Sequence, residues 1–301
     1  MKVLVYGVGG VGGFIGCFLE KTNYEITYVS RGERYNFIKN EDLILNIEIE
    51  NLKFKKINII NELNKGEHYD IIILTVKLYD FDNVLKEIKQ KVVGDYIILP
   101  FQNGIYAEEK IKNFLGIEKT FGAVAQISAH VDKNQTIQHV GKLATFFVGK
   151  YDGGSNDFLE SFCQNVQKCN LSIIYKNNIK EKIWEKFIFL SAYSGMTTLT
   201  EKTIGQIFEK KSLKSKFLSA MNEAFLLSKK FNVKFKRDPL AFWIEKINSM
   251  PYEMTSSMYL DFKSKKRLEL EWLSGSILNL GKSVDLNSDI SHEIVSGIKA
   301  K

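Results

Sequence analysis

Cysteine, proline and histidine are scarce in this 301-residue chain, with three, three and four copies respectively. Cys17, Cys163 and Cys169 form neither a C-x-x-C pair nor a disulfide framework. His68, His130, His139 and His292 are scattered, without H-E-x-x-H or similar spacing, so no metal site is expected. So few prolines, and no low-complexity tract, argue against a disordered linker. No apolar run approaches the roughly 20 residues that span a bilayer. Met1-Lys2 precedes an uncharged stretch reaching Leu19, but Gly7, Gly9, Gly10, Gly12, Gly13 and Gly16 make it a poor signal sequence. No small-residue cleavage pattern follows before Lys21, and a cytoplasmic protein is expected. The length suits about two domains, and 45% hydrophobic residues can supply two cores.

What is abundant near the start is glycine. Val3-Leu4-Val5-Tyr6 reads as a short strand running into Gly7-Val8-Gly9-Gly10-Val11-Gly12, a G-x-G-x-x-G pattern. Phe14, Ile15, Phe18 and Leu19 follow at helical spacing. Strand, glycine turn and helix together give a backbone that a pyrophosphate can approach, with free N–H groups at the helix start. The next strand, Glu25–Val29, ends in Ser30-Arg31-Gly32-Glu33-Arg34. A carboxylate usually stands there to bond the ribose hydroxyls of NAD. A guanidinium at Arg31 instead pairs with a 2′-phosphate, with Arg34 as a candidate second contact, so NADPH is favoured over NADH. The alternatives are a solvated charged loop, or Glu33 turning inward.

The net charge of +7 is unevenly placed: residues 1–178 are balanced, and the whole excess follows Asn178. A basic second half suits a small anionic substrate. No recognised nucleic-acid motif accompanies Lys210-Lys211 or the run from Lys263 to Arg267, so no nucleic-acid partner is expected. In the first half, strands such as Tyr69–Val76 and Tyr96–Pro100 alternate with helical stripes such as Phe81, Val84, Leu85, Ile88 and Val92. Phe121–Ala125 begins a later strand, and Gln135–Val148 reads as antiparallel structure after a Lys133-Asn134 turn. Beyond about Tyr175 only helices are expected: 179–199, 212–231, 239–248 and 269–280. The expectation is an α/β chain. Residues 1–178 form a doubly wound Rossmann-type dinucleotide domain, and residues 179–301 form an all-helical substrate and dimerisation domain in a homodimer.

Ligands of doubly wound sheets sit at the carboxyl ends of the strands. Lys77 and Asn103 stand at two such ends, where each is either a cleft residue or an ordinary surface lysine or Asn-Gly turn. Lys186 lies in the apolar run Ile183–Leu190. There it either loses solvation and becomes a proton donor, or snorkels into water. Thr255–Asp261 and Arg267–Gly275 offer hydroxyls and carboxylates that are equally suited to helix caps.

Taken in order, these motifs resemble the 2-dehydropantoate (ketopantoate) 2-reductases. The resemblance covers nearly the whole chain: the glycine fingerprint, Ser30-Arg31-Gly32, Thr75-Val76-Lys77, Gln102-Asn103-Gly104, Trp184-Glu185-Lys186 and Thr203-Ile204-Gly205. It continues through Ser256-Ser257-Met258 with Asp261, and Glu269 with Ser274-Gly275. It implies NADPH-dependent reduction of 2-dehydropantoate to pantoate, on the route to pantothenate and coenzyme A. Gly7, Val8, Gly9, Gly10, Val11, Gly12, Arg31, Lys77 and Asn103 are then cofactor-binding. Lys186 and Glu269 are catalytic, with Lys186 the proton donor, and Asn103, Ser257 and Lys186 bind substrate. One departure stands out. The family's lysine helix carries asparagines four and eight residues further on, where this chain has Leu190 and Ser194, and Met254 replaces another pocket asparagine. Missing amides relax discrimination for a hydroxylated substrate, so a different 2-oxo acid or carbonyl compound is the alternative. A non-catalytic NADPH sensor is the third reading.

Overall fold

The computed structural model describes all 301 residues. Two compact units emerge: residues 1–102 with 107–179, and residues 103–106 with 180–301.

The first unit opens with β1 (Lys2–Tyr6), α1 (Gly10–Leu19), β2 (Glu25–Val29), α2 (Gly32–Asn40), β3 (Leu43–Ile47), β4 (Glu50–Phe54) and β5 (Ile59–Ile60). It continues with β6 (Ile71–Leu74), α3 (Leu78–Lys91), β7 (Ile97–Pro100), α4 (Tyr106–Leu115), β8 (Phe121–Val131), β9 (Ile137–Lys150), α5 (Asp157–Gln167) and β10 (Ile173–Tyr175). Strands β5-β2-β1-β6-β7 form one sheet in that order, and every pairing in it is parallel. The continuous apolar runs of β1, β6 and β7 reflect burial on both faces. Val3, Val5, Ile71, Ile73 and Leu99 face a core shared with Phe14, Ile15 and Phe18 of α1 and Leu159 and Phe162 of α5. On the opposite face the Tyr6 hydroxyl reaches Glu87 of α3. Helices therefore cover both faces of a Rossmann-like sheet.

The later strands do not extend this sheet. The β8–β9 hairpin is antiparallel, with an irregularity between Ile127 and Ala129, and belongs to a second sheet ordered β10-β9-β3-β4. Leu43, Leu45, Phe121, Ile137 and Phe146 of this sheet pack into the same core, so α1 lies between two sheets. The β3–β4 hairpin was not anticipated from the sequence. Apolar and polar residues do alternate over Leu45–Glu50 and Leu52–Phe54, and β3 finds its second partner at Ile137 and Gln138 of β9.

The second unit is helical: α6 (Ile179–Thr200), α7 (Ile204–Glu209), α8 (Lys211–Lys230), α9 (Pro239–Asn248), α10 (Ser257–Lys263), α11 (Ser274–Lys282) and α12 (Asp289–Lys299). From Ile183 to Thr198 nearly every side chain of α6 is buried, the signature of a central helix. Phe189 stacks on Trp243 of α9, with ring centroids 4.3 Å apart, and approaches Phe217 of α8. The helix expected over 269–280 is broken. Residues Leu270–Trp272 make a 3₁₀ turn, and α11 starts only at Ser274. No helix is long and apolar enough to cross a membrane.

Candidate active site

The glycine turn joins β1 to α1. Gly7 N–H donates to Val29 O at 2.9 Å, and Thr75 Oγ1 at the end of β6 donates to Gly7 O at 2.5 Å. A Cβ on Gly12 would stand 2.0 Å from Gly7 O and 2.2 Å from Thr75 Oγ1, so only glycine lets the helix come this close to the strand. Val8 points into the core, and Gly9 is exposed. A Cβ on Gly9 would meet nothing within 4 Å, leaving open space in front of the loop. Gly10, Val11 and Gly12 form the first turn of α1, whose N–H groups have no acceptor within the helix. This arrangement fits a dinucleotide pyrophosphate.

Two arginines follow β2, and they stand in different surroundings. Arg34 Nε donates to Val8 O at 2.8 Å, and its Nη1 donates to Gln135 O in the β8–β9 turn. Burial pushes its guanidinium down to about 10, still charged at neutral pH. Arg34 thus braces the glycine loop against the hairpin, while its buried Nη2 makes no hydrogen bond. Arg31 is half-exposed and lines a cavity of about 420 Å³ with Gly32, Tyr35, Asn36, Asn61 and Glu62. Glu33 is exposed and is not among the residues lining this cavity. Lys77 is half-buried, immediately before α3, with its carbonyl accepting from Asp80 N–H.

In the helical unit, Lys186 and Asn103 come together across 83 residues of sequence: Lys186 Nζ donates to Asn103 Oδ1 at 2.7 Å. Lys186 is half-buried on α6. Asn103 is set by the turn at Gly104, where φ is +98° and a Cβ would stand 2.9 Å from Trp272 O. Glu269 is buried and caps the 3₁₀ turn, its carbonyl accepting from Trp272 N–H and Leu273 N–H. Ser257 is exposed at the first position of α10. Its neighbour Ser256 is the buried N-cap, accepting from Tyr259 N–H and sharing a 2.7 Å hydrogen bond with Thr197 Oγ1. Leu190 and Met254 are half-buried. Ser194 is 1% exposed, and its hydroxyl has no hydrogen-bond partner.

Two supporting groups were not singled out from the sequence. Glu185, beside Lys186 but buried, accepts from Lys182 Nζ and twice from Arg237 at 3.2 Å, while its carbonyl accepts from Trp243 Nε1. It ties α6 to the segment leading into α9, so within Trp184-Glu185-Lys186 the glutamate is an anchor. Thr75 staples the glycine loop. Its signals in the sequence were its place at a strand end and its membership of the Thr75-Val76-Lys77 motif. No group of three His, Cys, Asp or Glu side chains is placed to hold a metal ion.

Two family models match the chain: ketopantoate reductase PanE/ApbA over residues 3–153, and its C-terminal counterpart over residues 178–301. A 2-dehydropantoate 2-reductase of Pyrococcus horikoshii is 28% identical over all of this chain and 97% of its own length. The uncharacterized oxidoreductase YkpB of Bacillus subtilis is 24% identical over 99% of this chain and 98% of its own. Among solved structures, a ternary complex of D-mandelate dehydrogenase with NADH and anilino(oxo)acetate has the same fold, with a TM-score of 0.89. It is 18% identical and covers all of this chain and 98% of its own. With both family models matched in order along nearly its full length, the chain belongs to the ketopantoate reductase family of oxidoreductases.

Proposed function

We propose that this protein reduces a 2-oxo acid to the 2-hydroxy acid with NADPH, and that 2-dehydropantoate is the substrate, giving pantoate. The observation that carries the chemistry is the Lys186–Asn103 hydrogen bond of 2.7 Å. An ammonium has three donors. Asn103 takes one of them and fixes the direction of the lysine, so that Lys186 Nζ can donate to a carbonyl oxygen as negative charge develops there. Bound NADPH supplies the hydride. The backbone of Gly7, Val8, Gly9, Gly10, Val11 and Gly12 holds its pyrophosphate, Arg31 its 2′-phosphate, and Lys77 stands at an adjoining strand end. Glu269 accepts from a substrate hydroxyl, and Ser257 donates to the substrate carboxylate. The Pyrococcus relative's name supports this substrate.

A second reading keeps the redox chemistry and changes the acid. Leu190 follows Lys186 by one turn of α6 and is half-buried, which suits an apolar 2-oxo acid. D-Mandelate dehydrogenase, an enzyme of this fold, is named for an aromatic hydroxy acid. Steady-state kinetics with NADPH on 2-dehydropantoate and on an aryl 2-oxo acid separate the two, by which acid has the higher kcat/KM.

A further inference from the structure

Arg31 does not stand alone at the end of β2. Its Nη2 donates to the Tyr6 hydroxyl at 2.6 Å and to Glu87 Oε2 at 2.7 Å. Glu87 comes from the third turn of α3, with a side chain only 12% exposed. It also accepts from the Tyr6 hydroxyl at 2.7 Å, from Leu63 N–H at 3.0 Å and from Lys91 Nζ at 3.3 Å. Burial works against its ionisation, but the bonds from Tyr6, Leu63 and Lys91 outweigh it and hold the carboxyl below its usual range. A full negative charge therefore sits directly behind Arg31 at neutral pH. Lys91 in turn lies 3.9 Å from Glu62, which lines the same cavity as Arg31. Arg31, the one cation lining the cavity, is thus held against Glu87, and the nearby Lys91 is shared between Glu87 and Glu62.

Charge decides what this does to a nucleotide. A ribose 2′-phosphate is drawn to Arg31 and repelled by Glu87, whereas a 2′-hydroxyl carries no charge and finds both Glu87 oxygens already engaged by Tyr6, Arg31, Leu63 and Lys91. The sequence places no carboxylate at the end of β2, and the fold delivers one there from a helix. We propose that Glu87 is a specificity-determining residue: by pairing with Arg31 it narrows the preference of this protein for a 2′-phosphorylated dinucleotide over the unphosphorylated one. The proposal rests on the reading that the end of β2 receives the dinucleotide ribose.

The test is the Kd of NADPH and of NADH, from reduced-nicotinamide fluorescence, for the wild type, E87Q and K91M. Glutamine loses the charge and keeps one acceptor: its oxygen can still take Leu63 N–H, and its amide then donates to the Tyr6 hydroxyl in place of accepting from it. E87Q should tighten NADPH on the order of 10-fold, the effect of one unit charge a few ångströms away at a partly screened site. NADH should stay within about 2-fold. K91M strips the opposing charge from the half-buried C-terminal end of α3 and should weaken NADPH roughly 3- to 10-fold, again sparing NADH. A structural role would move both nucleotides together. Parallel shifts, or an unchanged ratio in both variants, overturn the proposal. Should E87Q fail to fold, the sign of the K91M effect decides alone. Wild-type protein that binds NADPH with no change of ratio in the variants sinks only the role of Glu87. Wild-type protein that binds neither nucleotide sinks the proposed function with it.

Discussion

Arg31 is the only cation lining the cavity at the end of β2. Removing it takes away a charged hydrogen bond worth roughly 1.5–3 kcal/mol, so R31A should bind NADPH about 10- to 150-fold more weakly and NADH nearly as before. Titration with both nucleotides checks this, and equal losses would detach Arg31 from the 2′-phosphate. For Lys186, K186A should lower kcat by roughly 10²–10⁴ while circular dichroism stays unchanged, as expected for loss of a general acid. Near-normal turnover would make it a structural lysine. The two replaced pocket amides part company in the structure. Leu190 is half-buried, so L190N should lower KM for 2-dehydropantoate about 2- to 13-fold, the worth of one hydrogen bond. Ser194 is 1% exposed, and an asparagine there must displace packed neighbours. S194N should cost about 1–3 kcal/mol of stability in a urea titration and leave KM unimproved. Little of this could be read from spacing. The apolar run around Lys186 suits both a buried proton donor and a snorkelling lysine, and its partner Asn103 lies 83 residues away in sequence.

At the scale of elements, legibility followed burial. Strands β1, β6 and β7 are covered on both faces and stand out as continuous apolar runs. β3 and β4 bury only part of one face: Asn46, Glu48 and Glu50 alternate with Leu45, Ile47 and Ile49, which marks an amphipathic hairpin but not its place, and pairing with β9 supplies that for β3. The break at Leu270–Trp272 was hidden because Leu270, Leu273 and Ile277 keep a helical spacing across it. Helix caps reached from other elements were equally invisible. Glu223 of α8 is buried and accepts from Ile290 N–H, Ser291 N–H and Ser291 Oγ at the start of α12. E223A should leave buried donors unsatisfied and lower unfolding stability by about 2–3 kcal/mol, seen as a lower urea midpoint. A change below about 0.5 kcal/mol would show that α12 finds its cap elsewhere.

For the whole molecule, the α/β-then-helical order was plain from the change in periodicity near Tyr175. The place of Asn103–Tyr106 within the second unit was not, because a four-residue turn carries no periodic signal. The excess positive charge after Asn178 fits an anionic acid, and the family match fixes the oxidoreductase class. What joins these is the claim that this protein reduces 2-dehydropantoate with NADPH through Lys186. The most direct measurement is NADPH oxidation by the purified protein across a panel of 2-oxo acids that includes 2-dehydropantoate, with K186A run beside it. The expected result is that 2-dehydropantoate has the highest kcat/KM of the panel and that K186A loses its turnover. No measurable reduction of 2-dehydropantoate by the wild type, alongside turnover of a more apolar 2-oxo acid, would contradict it.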